Sequence, residues 1–98
     1  MGQGARKRPV PKLLAKKLKQ IRTVRGWTQQ EMADKISRFV KIRSSAAPPD
    51  TAMISRFERG EREPNLIVLH AYAKVVHVTV DIFIDDQFTL ENFTRAIT

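Results

Sequence analysis

Cysteine is absent from the chain, which excludes a disulfide framework and any thiolate metal site. Histidine is scarce: His70 and His77 cannot complete a metal site by themselves, so no metal or other cofactor is expected. No apolar run approaches a membrane span, and the charged N-terminus lacks the apolar core of a signal peptide. A soluble cytoplasmic protein with no membrane role is the expectation. Catalytic patterns are missing too: no nucleophile-elbow glycines, no P-loop, no histidine pair at i, i+4. The chain does not read as an enzyme, and it shows no internal repeat.

Acid is also missing from the first third. Residues 1 to 30 hold nine Lys or Arg and no Asp or Glu, residues 31 to 64 hold seven bases against six acids, and residues 65 to 98 hold two against four. A basic third of this kind suits a polyanion, because each phosphate it neutralises releases counterions and adds affinity independent of sequence. A solvated basic face is the plain alternative, and a basic amphipathic helix on a membrane surface is a further one. The 98 residues make one small domain, near the size at which a single core gains from self-association. A homodimer is therefore expected.

Residues 1–10 carry Arg6, Lys7 and Arg8 among small residues and prolines and read as a flexible basic arm. Pro11 suits a first helical position, after which Leu14, Leu18 and Ile21 form a buried stripe ending at Gly26. Lys12, Lys16, Lys17 and Lys19 lie mostly off that stripe and are expected to face solvent. Thr28 and Glu31 have the spacing of a capping box, with Trp27 and Met32 as its hydrophobic staple. The second helix continues through Ile36, Phe39 and Val40. A loop containing Pro48 and Pro49 follows, and Asp50 can cap a third helix. That helix carries Ile54 and Phe57 on one face, Thr51, Ser55, Arg56 and Arg59 on others, and stops at Gly60. Asn65 can cap a fourth helix with Leu66, Leu69, Ala73 and Val76 toward the core. Residues 75–84 look like a strand by β-branched content alone. Phe88, Leu90, Phe93 and Ile97 leave the C-terminal segment to pack on the core or across a dimer.

Arg25-Gly26-Trp27-Thr28-Gln29, Met32-Ala33-Asp34-Lys35-Ile36 and Ile54-Ser55-Arg56-Phe57-Glu58-Arg59-Gly60-Glu61-Arg62-Glu63-Pro64 together resemble the phage-repressor and Cro type of helix-turn-helix domain, the XRE family, from about Lys12 to Asp85. The resemblance implies an all-α, five-helix repressor-like domain over residues 11–86, with the arm 1–10 before it and an extension 87–98 after it. The eighteen steps from Ile36 to Ile54 exceed the family's connection, which places an insertion at 38–49. The family also implies a short fifth helix opened by Thr79 in place of a strand, and it usually has glycine in a left-handed turn where His77 stands.

The implied function is sequence-specific binding of double-stranded DNA by a transcriptional regulator, a repressor by expectation, reading the major groove with helix 50–59. Gln29, Arg59 and Arg62 correspond to backbone-phosphate contacts, and Thr51, Ala52, Ser55 and Arg56 to the reading surface, where Arg56 can present two donors to guanine. Arg22 and Glu58 match a structural salt bridge beneath that helix. Plainer readings stand beside these: an exposed Gln29, solvated Arg59 and Arg62, an Arg56 paired with Asp50 or Glu63, a surface or half-buried His70, and a core and staple role for Trp27. The rival function is an antitoxin-like interaction module that binds a toxin-like protein partner and regulates its own operon.

Overall fold

The computed structural model describes residues 11–43 and 47–98; the expected arm 1–10 lies outside them. Among the described residues the chain is helical throughout, with no strand. The helices are α1 (Leu14–Arg25), α2 (Gln29–Arg43), α3 (Thr51–Glu58), α4 (Leu66–Val75), α5 (Asp81–Ile84) and α6 (Leu90–Ile97). None is long and apolar enough to cross a membrane. The six exceed the expected five because the C-terminal segment is itself a helix, capped by Thr89, whose hydroxyl accepts from the Asn92 amide at 3.2 Å.

Local chemistry sets most helix boundaries. At the start of α2 the Thr28 amide donates to Glu31 Oε1 at 2.8 Å and the Glu31 amide to Thr28 Oγ1 at 3.1 Å, a reciprocal capping box. Asp50 caps α3 through the Met53 amide at 2.9 Å, and Asn65 caps α4 through the Val68 amide at 2.9 Å. Gly26 at φ 70° and Gly60 at φ 75° close α1 and α3 in the left-handed conformation. His77 at φ 59° closes α4 in the same way, with the Val78 amide reaching back to the Ala73 carbonyl at 3.0 Å. That closure is why residues 75–84 form no strand: a helix end and a turn take up their backbone groups, and Phe83 enters the core from α5.

Several expectations are corrected by the structure. Pro11 lies outside α1, which begins at Leu14; in the turn just ahead of the helix the carboxylate of Asp86 accepts from the Lys12 and Leu13 amides at 2.9 and 3.1 Å from across the molecule. Those two bonds hold the Asp86 carboxyl below its ordinary range. Leu66 is 72 % exposed and not in the core; Val68, Leu69 and Tyr72 take the buried face of α4. Thr79 precedes the cap position of α5, which is held by Val80.

α1 is the hub, in contact with α3, α5 and α6, while α2 packs between α3 and α4. Leu14, Leu18 and Ile21 form the buried stripe of α1 and meet Phe93 and Ile97 of α6, with Phe83 tilted against Phe93 at 5.3 Å between ring centroids. Burial of one such ring contributes about 2–3 kcal/mol, so α6 is part of the core and not an appendage. Lys17, expected at the surface, is 0 % exposed. Its ammonium donates to the Ile82 and Asp85 carbonyls at 2.7 and 2.9 Å and stands 5.8 and 5.9 Å from the Phe88 and Phe93 ring centres. Burial pushes its pKa below the ordinary 10.5, against the opposing pull of Asp86 and Asp85.

Truncating Lys17 removes both its packed stem and its two hydrogen bonds. Lys17→Ala is expected to lower unfolding stability by about 2–4 kcal/mol. Lys17→Met, which keeps the stem, should lose clearly less. Urea melts of the two variants check this, and a Lys17→Ala protein as stable as the parent contradicts it.

Candidate nucleic-acid interface

Beneath α3 an ion pair joins three helices. Arg22 of α1 donates through Nε to Glu58 Oε2 at 2.8 Å and through Nη2 to Glu58 Oε1 at 2.9 Å, a two-bond fork on the carboxylate at the end of α3. Gln29, at the start of α2, adds an amide hydrogen to Glu58 Oε1 at 3.2 Å, and a further Arg22 bond reaches the Trp27 carbonyl at 3.2 Å. The Glu58 side chain is 3 % exposed and that of Arg22 21 %. The hydrogen bonds it donates to Glu58 raise the Arg22 pKa further, so the guanidinium is charged at any ordinary pH. A short bridge on the outer side, from the Thr51 hydroxyl to Gln30 Oε1 at 2.5 Å, ties the first turn of α3 to that of α2. The relative placement of α2 and α3 is therefore held from below and from the side.

The residues singled out from the sequence fall into two groups. Thr51, Ala52, Ser55, Arg56 and Arg59 share the part of α3 turned away from Ile54 and Phe57, with Ala52, Arg56 and Arg59 exposed and Thr51 and Ser55 half-buried. Arg56 enters no hydrogen bond or ion pair with a described residue, so the expected alternative, a pair with Asp50 or Glu63, is not formed. Arg59 is engaged: it donates to Glu61 at 2.7 and 3.1 Å and to the Ser55 hydroxyl. That contact raises the Arg59 pKa and lowers that of Glu61. Gln29 is half-buried and commits one amide hydrogen to Glu58, leaving the other available. Arg62 stands apart, in the exposed turn after α3.

Two participants carried no usable signal in the sequence. Gln30 is one, since its bond to Thr51 spans the loop between α2 and α3. Tyr72 is the other: it is fully buried on α4, feels the charge of Glu58, and has no protein hydrogen-bond partner for its hydroxyl among the described residues. Burial, and then the nearby Glu58 carboxylate, push its pKa well above the ordinary 10.0. Residues 44–46, inside the expected insertion, lie outside the described ones; α2 runs on to Arg43 before them.

No group of acidic and histidine side chains among the described residues forms a metal cluster. No protein family, curated protein or solved structure matches the chain.

Two outcomes are expected from this cluster. Arg22→Ala should cost about 3 kcal/mol by leaving Glu58 buried and unpaired, and Glu58→Ala in the same chain should return part of it. Strictly additive losses in denaturant melts exclude a direct coupling. For Tyr72, whose folded pKa is raised, the stability linked to the protonated phenol is complete below pH 10 and lost as pH rises beyond it. Because Tyr72 is the single tyrosine, tyrosinate absorbance should appear together with the loss of helical circular dichroism. Tyr72→Phe should be neutral or stabilising by up to about 1 kcal/mol. Tyrosinate forming while the helix signal is intact contradicts the burial.

Proposed function

We propose that the protein binds double-stranded DNA in a sequence-specific manner as a transcriptional regulator, with α2 and α3 as a helix-turn-helix within a repressor-like domain. The observation that carries this reading is the pairing of an immobilised base with a free outer edge on α3. Its underside is fixed by Arg22, Glu58 and Gln29, while Ala52 and Arg56, which has no ion pair among the described residues, are exposed. A guanidinium on a rigid helix, without a hydrogen bond to a described residue, can place two donors on the O6 and N7 acceptors of guanine. Ser55 and Thr51 flank it with short hydroxyl donors. Arg59 must exchange Glu61 for phosphate, so its role is affinity and register and not base choice.

Gln29 fits the same scheme. Its second amide hydrogen, at the positive end of the α2 dipole, can meet a backbone phosphate while the first holds Glu58. The acid-free first third of the chain supplies the diffuse attraction. A homodimer on a two-fold symmetric operator is the assembly this class of reading helix uses.

Selection of bound duplexes from a random pool tests the proposal. In the selected sequence, Arg56→Ala should relax preference at one base pair by about 1–3 kcal/mol, while Lys16→Ala, exposed on α1, should weaken all sequences alike or have no effect. Failure to enrich any sequence overturns sequence-specific binding. Uniform weakening by Arg56→Ala makes Arg56 a phosphate contact and moves base reading elsewhere.

A further inference from the structure

A second cationic cluster lies on the other flank of α2. At about 100° per residue, Phe39 stands half a turn from Gln30, the residue that meets α3, and Lys35 about 140° from it. On that flank Lys35 Nζ lies 4.4 Å from the Trp27 ring centre and the Arg25 guanidinium 5.5 Å from it. Together with Arg38, Phe39 and Val75 they line an open cavity of about 210 Å³. Two cations therefore stand by one aromatic ring and a third, Arg38, lines the same cavity, and among the described residues no ion pair joins any of the three to a carboxylate. Like charges this close repel one another, and the repulsion is relieved when an anion arrives.

The cluster is also held in place. The Trp27 amide donates to the Arg22 carbonyl at 3.0 Å and its own carbonyl accepts from Arg22 at 3.2 Å. Arg25 is tied at 3.3 and 3.1 Å to the Ile97 carbonyl at the end of α6. Arg25 therefore has little side-chain freedom left to lose on binding. The cavity is smaller than the roughly 300–1,000 Å³ of a small-molecule pocket and suits a single inserted side chain. Tryptophan and arginine are the residue types that dominate protein interfaces.

We propose that this cluster is a docking site for an acidic segment of a protein partner. One apolar side chain enters against Trp27, Phe39 and Val75, and its flanking carboxylates pair with Lys35, Arg38 and the outer face of Arg25. The site lies on the flank of α2 away from Gln30, which meets α3, and the inference does not depend on the DNA reading.

Trp27 is the single tryptophan of the chain, which makes its emission a direct probe. The full chain is titrated with a Trp-free peptide in which a leucine is flanked by aspartates and glutamates. The expected result is a saturable change in emission, weakened about tenfold or more in Lys35→Glu/Arg38→Glu and unchanged in Lys16→Glu. A glutamate-only peptide should bind at least about tenfold more weakly than the leucine-bearing one. Helical circular dichroism checks the double variant; if it is lost, the single change Arg38→Gln, at an exposed position, is read in its place, with weakening expected. The proposal is overturned if emission does not move, if the variant binds the peptide as tightly as the parent, or if inorganic phosphate gives the same change at the same concentration. Competition of a random-sequence duplex for the peptide's site also overturns it and assigns the cluster to nucleic acid. Loss of duplex selection with peptide binding intact counts against the DNA reading alone.

Discussion

The bidentate contact between Arg22 and Glu58 is the constraint on which the arrangement of the first three helices rests. It is made where α1, α2 and α3 converge, and each contributes one member: Arg22, Gln29 and Glu58. An ion pair of this kind contributes little net stability, because desolvation offsets most of its attraction, yet it penalises every packing in which the two charges are parted. Its effect is selective. The apolar contacts of Ile21, Met32, Ile54 and Phe57 drive α3 onto the core, and they tolerate small rotations. The fork does not tolerate them, and so it sets the rotation at which Arg56 points outward.

A second polar anchor organises the opposite end of α1. Lys17 donates to one carbonyl within α5 and one just beyond its end, and Asp86 accepts from the two amides just ahead of α1. The two contacts run in opposite directions between the same pair of segments. Each supplies charge where a helix end exposes unpaired backbone groups, and together they bring Phe88 and Phe93 over the lysine stem.

What could be read from the sequence was largely local. The capping box of Thr28 and Glu31, the caps at Asp50 and Asn65, and the left-handed positions of Gly26, Gly60 and His77 are contacts within a few residues, and each helix boundary they imply is present. The period of Leu14, Leu18 and Ile21 likewise marked the buried face of α1. What could not be read was tertiary. A lysine off the apolar stripe is ordinarily solvated, and only the carbonyls 65 and 68 residues away make a buried Lys17 tolerable. Leu66 follows the apolar spacing of α4 but stands in a first turn that the neighbouring helices do not cover. In the candidate interface, Arg22 and Glu58 were paired through a family resemblance, since nothing in their spacing of 36 residues indicates contact. Gln30 and Tyr72 had no signal of either kind.

The capping of Lys12 and Leu13 by Asp86 also bears on how the chain comes off the ribosome. The beginning of α1 is made first, yet the groups that complete it, the carboxylate of Asp86 and the carbonyls for Lys17, are separated from it by 74, 73, 65 and 68 positions of chain. A nascent polypeptide that already contains α1 to α4 thus carries an uncapped leading helix and a lysine with no acceptors beside its apolar stripe. Only when α5 and the residues through Asp86 have emerged can these contacts close. A chain released before Asp86 is made therefore lacks the contacts that anchor the start of its hub helix.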